Sequence, residues 1–278
     1  MPPRVSRRRR AHEDAQRPYS CKIIKAGSLL AETKAILLHW DKTRSPQANL
    51  ECVLRQNWLG KSSRARLRHI LSVFRQRYLV EPSVLPALVI LVQGRLPATA
   101  LDRILFFHTA QADPLVADVV RHVLLPQAQC GLVEVSVGDL LGPLRAWVAQ
   151  GRMVRPWSEY TLRRVAQGLL AALRDFGILQ GVNKKRLQPA YLPLAAFAYI
   201  AYYLHQRHRA VAQLVRRPDW QLFFLTPDAV ERAFFAAHQE GYLEYYAAGS
   251  VVRLTFPATS LEEYAHVLVE RAAQAPGR

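Results

Sequence analysis

The chain of 278 residues is poor in acid, with 21 Asp and Glu against 38 Lys and Arg and a formal net charge of +17. It is poor in cysteine as well. Cys21, Cys52 and Cys130 are far apart and form no CxxC pair, which excludes a disulfide framework and a zinc ribbon and suits a reducing cytoplasm. Long apolar runs are also missing. The longest, from Ala190 to Leu204, contains Pro193 and stops at His205, so it offers about 15 residues where a membrane span needs roughly 20. It reads as a buried helix, and no membrane partner is expected. No apolar stretch follows the run Arg7 to Arg10, so the N-terminus lacks the middle of a signal peptide, and 1–18 reads as a disordered basic tail. What the sequence does hold is apolar residues, 50% of the total, which excludes a disordered polybasic chain and supplies a core. At this length the chain is expected to divide, here into domains at 19–155 and 156–278.

The basic excess is unevenly spread. Residues 1–80 carry a net +13, 81–155 are neutral, 156–217 carry +8 and 218–278 carry −4. Two basic blocks on structured elements act at long range on a polyanion, and for a cytoplasmic protein the usual one is nucleic acid. The alternative is a solvated basic surface that meets anything acidic.

In the first block, Leu29, Leu30, Thr33, Ile36, Leu37 and Trp40 recur at helical spacing until Asp41 to Gln47, with Pro46, break the pattern. A second helix is expected over Ala48 to Trp58, ended by Gly60. Ser62 or Ser63 then caps a third, whose apolar face is Leu67, Ile70, Leu71, Phe74 and Tyr78. Arg64, Arg68 and Arg75 fall on one flank of that face and Arg66 and Arg77 on the other, giving two basic shoulders. Lys61, Ser62, Ser63 and Arg64 stand at the helix N-terminus, where free N–H groups and the helix dipole favour a backbone phosphate. This is no Walker A loop, because Arg55 stands where that motif needs its first glycine. Residues 82–150 read as further helices punctuated by prolines, with a short strand-like alternation from Val133 to Val137.

The second block holds the most informative stretch. Ser158 caps a helix with Leu162, Val165, Ala166, Leu169, Leu170, Leu173 and Phe176 on one face, and Gly177 stops it. Arg163, Arg164, Gln167 and Arg174 lie off that face. Ile178 and Leu179 then enter a strand, Gly181 to Lys185 turn, and Arg186 to Gln188 return. A helix, a tight turn and a basic-tipped hairpin outline a winged helix-turn-helix, in which the helix enters the major groove and Lys184, Lys185 and Arg186 contact phosphates. The same residues also suit an ordinary solvated hairpin turn. A related outline follows at Thr226 to Phe256, where Asp228, Glu231, Glu240 and Glu244 suit protein contact better than DNA. Ser260 and Glu263 give the capping-box signature of a terminal helix.

Catalytic chemistry finds little to work with. No GxSxG, HExxH or dinucleotide fingerprint is present, and Glu159 and Asp175 are the only carboxylates of 156–217. His205 and His208 are three apart, but no nearby acid or cysteine completes a metal site. No catalytic residue, metal or cofactor is therefore expected. Tyr191, Phe197, Tyr199, Tyr202 and Tyr203 resemble a stacking platform for unpaired bases, yet they lie in the longest apolar run and read as core.

Five segments, in this order, resemble the BrxA family of BREX phage-defence systems: YSCKIIKAGSLLAETKAILLHW at 19–40, LGKSSRARLRHILSVFRQRYL at 59–79, ALRDFGIL at 172–179, RPDW at 217–220 and YYAAGSVVRLTFP at 245–257. The resemblance implies a mainly helical protein with a NusB-like N-terminal domain, a winged-helix C-terminal part with short hairpin wings, and binding to double-stranded DNA. It also implies a place beside other BREX proteins, among them a methyltransferase and ATPases. It carries over no set of binding residues. A protein-interaction subunit and an RNA-binding protein are the competing expectations.

Overall fold

Side-chain caps at Ser45, Ser63, Ser136, Ser158 and Thr226 set where several of the helices begin. The computed structural model describes residues 17–188, 191–208, 210–248 and 251–274, so the run Arg7 to Arg10 lies outside the described residues. The chain opens with α1 (Ile23–Ala26), α2 (Leu30–Leu38), α3 (Pro46–Gln56) and α4 (Arg64–Tyr78). The bounds of α3 correct the expected helix. Ser45 Oγ accepts from the Ala48 N–H at 3.2 Å, and Pro46 takes the first helical position, where its missing N–H costs nothing. The helix stops at Asn57, whose φ of 48° is left-handed, and not at Gly60. Of the two candidate caps for α4, Ser63 serves: its Oγ accepts from the Arg66 N–H at 3.0 Å. All five residues of the expected apolar face are buried.

Helices α5 (Val84–Gln93) and α6 (Ala98–Ala112) follow, and α6 is buried on nearly every side. The next helix, α7 (Pro114–Val119), continues through a π-helical turn, Val120–Leu124, into α8 (Leu125–Gln129). The strand-like alternation becomes β1 (Glu134–Val135), after which the Ser136 and Asp139 capping box opens α9 (Val137–Ala149). Then come α10 (Glu159–Asp175), β2 (Leu179–Gln180) and β3 (Lys185–Leu187). The rest is α11 (Leu194–Arg207), α12 (Val211–Leu214), a 3-10 turn at Pro218–Phe223, α13 (Pro227–Gln239), β4 (Glu244–Ala248), β5 (Val251–Thr255) and α14 (Leu261–Gln274). The protein is mainly α-helical, as expected.

Two small antiparallel sheets complete it. One has the order β1-β3-β2, with Glu134 opposite Arg186 and Leu179 opposite Leu187. Its strands therefore come from both sides of position 155. The other is the hairpin β4-β5, with Glu244 opposite Thr255. One apolar cluster links residues from Tyr19 to Leu268. Within it, Phe197 of α11 stacks on Trp220 at 4.8 Å and Tyr202 on Tyr264 at 4.7 Å. Phe197, Tyr199, Tyr202 and Tyr203 are thus core, while Tyr191 stands 64% exposed outside it. The C-terminal α14 packs on α5, tying the end of the chain to its first half. Among the described residues no helix is long and apolar enough to cross a membrane.

Candidate nucleic-acid interface

Helix α10 turns its apolar side inward, burying Leu162, Val165, Ala166, Leu169, Leu170 and Leu173. Ser158 Oγ caps it by accepting from the Thr161 N–H at 3.3 Å. Tyr160, Arg163, Arg164 and Gln167 are exposed on the opposite side, with Ala171 and Arg174 half-buried. The acids at both ends of the helix are engaged. Arg145 of α9 donates two 2.8 Å hydrogen bonds to Glu159, and this fork holds the carboxyl below its ordinary pKa. Asp175 accepts from Arg174 at 2.6 Å and from Ser28 Oγ at 2.9 Å. Between them the outer face carries no acid.

The end of α10 is fixed from another helix. Arg103 of α6, itself buried, donates to the carbonyls of Phe176, Gly177 (2.7 Å) and Tyr191 (3.4 Å). It thereby satisfies acceptors that a helix C-terminus leaves open. Burial pulls the Arg103 pKa down, and Asp102 opposes that pull. Gly177 has φ 72°, a conformation that favours glycine, and a Cβ there would meet Arg103 Nη1 at 2.7 Å and displace the guanidinium. The turn between β2 and β3 makes a stricter demand at Gly181, where the obstacle is backbone. Its φ is 90°, and a Cβ would lie 2.1 Å from the Lys184 carbonyl oxygen.

At this turn Val182 is 72% exposed, and Asn183 and Lys184 are exposed beside it. Lys185 Nζ donates back to the Val182 carbonyl at 2.9 Å, and Arg186 pairs with Glu134 of β1 at 3.0 Å. Of the three cations expected on the wing, Lys184 has no partner among the described residues.

The α4 residues divide. Arg64 and Arg68 are exposed and have no partner among the described residues, and Ser62 is exposed. Lys61 pairs with Glu32 at 2.9 Å, and Arg75 donates to Gln47 at 3.0 Å. Arg66 donates to the Lys25 carbonyl, and Arg77, only 7% exposed, donates to the carbonyls of Gly27 (2.8 Å) and Ser28 (2.6 Å). The second basic shoulder is therefore corrected: Arg77 is a buried anchor, drawn in by the open carbonyls after α1. Helix α1 and the residues that follow it meet both basic helices, through Arg66 and Arg77 of α4 and through the Ser28 bond to Asp175 of α10. Exposed Lys22 and Lys25 add charge at this junction. Burial and then the nearby Arg66, Lys25 and Lys22 lower the His69 pKa.

Lys22, Lys25 and Arg103 are not among the residues that the sequence patterns single out. A signal for Arg103 existed: it is a lone arginine in the apolar run LDRILFF, where a charge needs a buried partner. The later unit has a different surface. Asp228, Glu231, Glu240 and Glu244 are exposed on or beside α13 and β4 together with Phe235 (41%) and Tyr246 (54%). Among the described residues no group of three or more His, Cys, Asp or Glu is placed to share a metal ion.

No curated protein matches the chain. Among solved structures it is similar to an uncharacterized protein from Magnetospirillum magneticum, at 16% identity and a TM-score of 0.56, covering 68% of this chain and 95% of that one. At that identity the likeness is one of fold. The BrxA family model matches residues 17–202, well over half of the sequence, and the chain belongs to the BrxA family.

Proposed function

We propose that the protein is a non-enzymatic component of a BREX bacteriophage-resistance system that binds duplex DNA, mainly through phosphates, in the cytoplasm and without metal or cofactor. The observation that carries this reading is the acid-free outer face of α10 beside an exposed turn bearing Lys184. The order helix, strand, helix, helix, strand, strand from Pro114 to Leu187 supports it, since a winged helix has that order and sets its wing beside the DNA backbone. Phosphate contacts release counterions, so affinity falls steeply with salt, at a log–log slope of roughly −0.9 for each phosphate neutralised. Fluorescence anisotropy on a random-sequence duplex at several salt concentrations tests the proposal. A tight, salt-sensitive complex is expected, and absent or salt-insensitive binding contradicts it.

A second reading, that of an assembly subunit for the defence proteins, is favoured by the acidic and aromatic surface of α13 and β4 around Phe235, Tyr246, Glu231 and Glu244. Co-purification of the other BREX proteins that survives nuclease treatment, with weak binding to DNA, would support it over the first.

A further inference from the structure

The outer face of α10 is richer than a phosphate clamp requires. Tyr160, Arg163, Arg164, Gln167, Ala171 and Arg174 fall within about 100° of one another at 100° per residue. The cations supply the charge that phosphates require, and neutral donors can join them, yet the centre of the stripe, the line of closest approach to a groove floor, is held by uncharged, exposed Gln167 with no partner among the described residues. Arg164, one turn before it, is likewise exposed and has no partner among them, whereas Arg163 shares the field of Glu159 and Arg174 is tied to Asp175. One turn beyond Gln167, Ala171 offers only a methyl group, which lets the helix approach a groove floor closely.

The mount is firm. Ser158 and the Arg145–Glu159 fork hold the first turn, and Arg103 holds the last. Bidentate contacts need such a fixed platform, because the donors must stay within a few tenths of an ångström of their acceptors.

Resting on the DNA-binding reading above, we infer that α10 also reads base sequence in the major groove, with Arg164 donating to a guanine and Gln167 pairing with an adenine. Arginine matches the two acceptors of guanine in that groove, and glutamine matches the acceptor and donor of adenine. The two side chains are three residues apart, about 4.5 Å along the helix axis. The rise of the duplex is about 3.4 Å per base pair, so the two bases lie on adjacent or next-adjacent pairs. B-form DNA admits a helix there, while the deep, narrow major groove of A-form RNA does not.

The test is selection from a randomised duplex library by the full-length chain. Affinities of wild type, Gln167→Ala and Arg164→Ala are then measured for the selected site and for its single-pair variants. The recovered sites should share a G·C and an A·T pair at that spacing. Wild type should prefer the selected site over one with the A·T pair exchanged by about tenfold or more. Gln167→Ala should lose that preference at the A·T pair alone, with its salt slope intact, and Arg164→Ala should lose it at the G·C pair. Both positions are exposed, and a circular dichroism spectrum of each variant confirms its fold. An unenriched library, preferred binding of structured RNA, or a Gln167→Ala variant that still discriminates overturns the inference. If random duplex is nonetheless bound with a steep salt dependence, the broader proposal stands. If no duplex is bound at all, both fall.

Discussion

At the scale of single residues, the groups that organise this protein are charges or polar rings taken indoors. Arg103 meets three carbonyls at the junction of α10, β2 and residue 191, and replacing it by Met would leave the buried Phe176 carbonyl unpaired and the part-buried carbonyls of Gly177 and Tyr191 without this donor. Arg103→Met is expected to cost about 2–4 kcal/mol of stability, since hydrogen bonds to a charged group are worth about 1.5–3 kcal/mol each and do not add fully. Chemical denaturation measures it, and a cost under about 0.5 kcal/mol, the range of an ordinary surface substitution, would contradict the role. His108 is a second case. It is buried on α6, its Nε2 lies 2.9 Å from the Tyr199 hydroxyl, and burial pushes its pKa down to about 3. Below an unfolded-state pKa near 6.5 the unfolded chain takes up a proton that the folded chain refuses. This stability is therefore complete above about pH 6.5 and is lost as pH falls towards 3, at about 1.4 kcal/mol per unit. Between pH 7 and pH 5 wild type should lose about 2 kcal/mol more than His108→Gln. Equal losses in the two proteins would contradict the burial of a neutral ring.

At the scale of elements, the legible parts of the fold are those with a local cause. Ser63 and Ser158 each stand directly before an apolar repeat, so the sequence alone places α4 and α10 to within a residue or two. It does not place the start of α3, because Pro46 suits both a break and the first position of a helix. A helical wheel sets Arg77 on a flank because it gives an angle and not a depth. The carbonyls that draw this arginine inward belong to residues 27 and 28, about fifty positions away. Strand β1 is barely visible for a similar reason: two residues have no period, and their partners are near 185. The wing turn is legible through Gly181, and its dependence on that glycine is testable. Gly181→Ala should speed amide exchange at Lys185 and Leu187 and weaken duplex binding several-fold, while α10 stays protected. Unchanged exchange at β3 would show that the turn accommodates a side chain.

At the scale of the whole molecule, the net charge of +17 resolves into distinct surfaces. Some cations are spent on structure, Arg77 and Arg103 on carbonyls and Lys61 and Arg145 on acids, while Arg186 shares only an exposed pair with Glu134. Those left exposed and unpaired among the described residues include Arg64, Arg68, Arg164 and Lys184. The two basic helices meet at α1, and the acidic, aromatic unit α13 to β5 forms a surface of its own. That last unit packs on α11 and α12, and α14, which buries Leu261, Tyr264, Ala265 and Leu268, ties into it where the Tyr264 hydroxyl donates to the Tyr242 carbonyl at 2.7 Å. Deleting residues 259–278 should therefore destabilise the protein as a whole. A lowered melting temperature with a single cooperative transition is expected, and an unchanged one would show that the helix is dispensable.

If the wing beside α10 holds phosphates, as proposed above, the salt dependence of duplex binding should differ between wild type and the combined Lys184→Ala, Lys185→Ala, Arg186→Ala variant. The variant should bind more weakly and with a log–log slope shallower by roughly 0.9 for each phosphate it no longer neutralises, its circular dichroism unchanged. A variant with the affinity and slope of wild type would contradict the account.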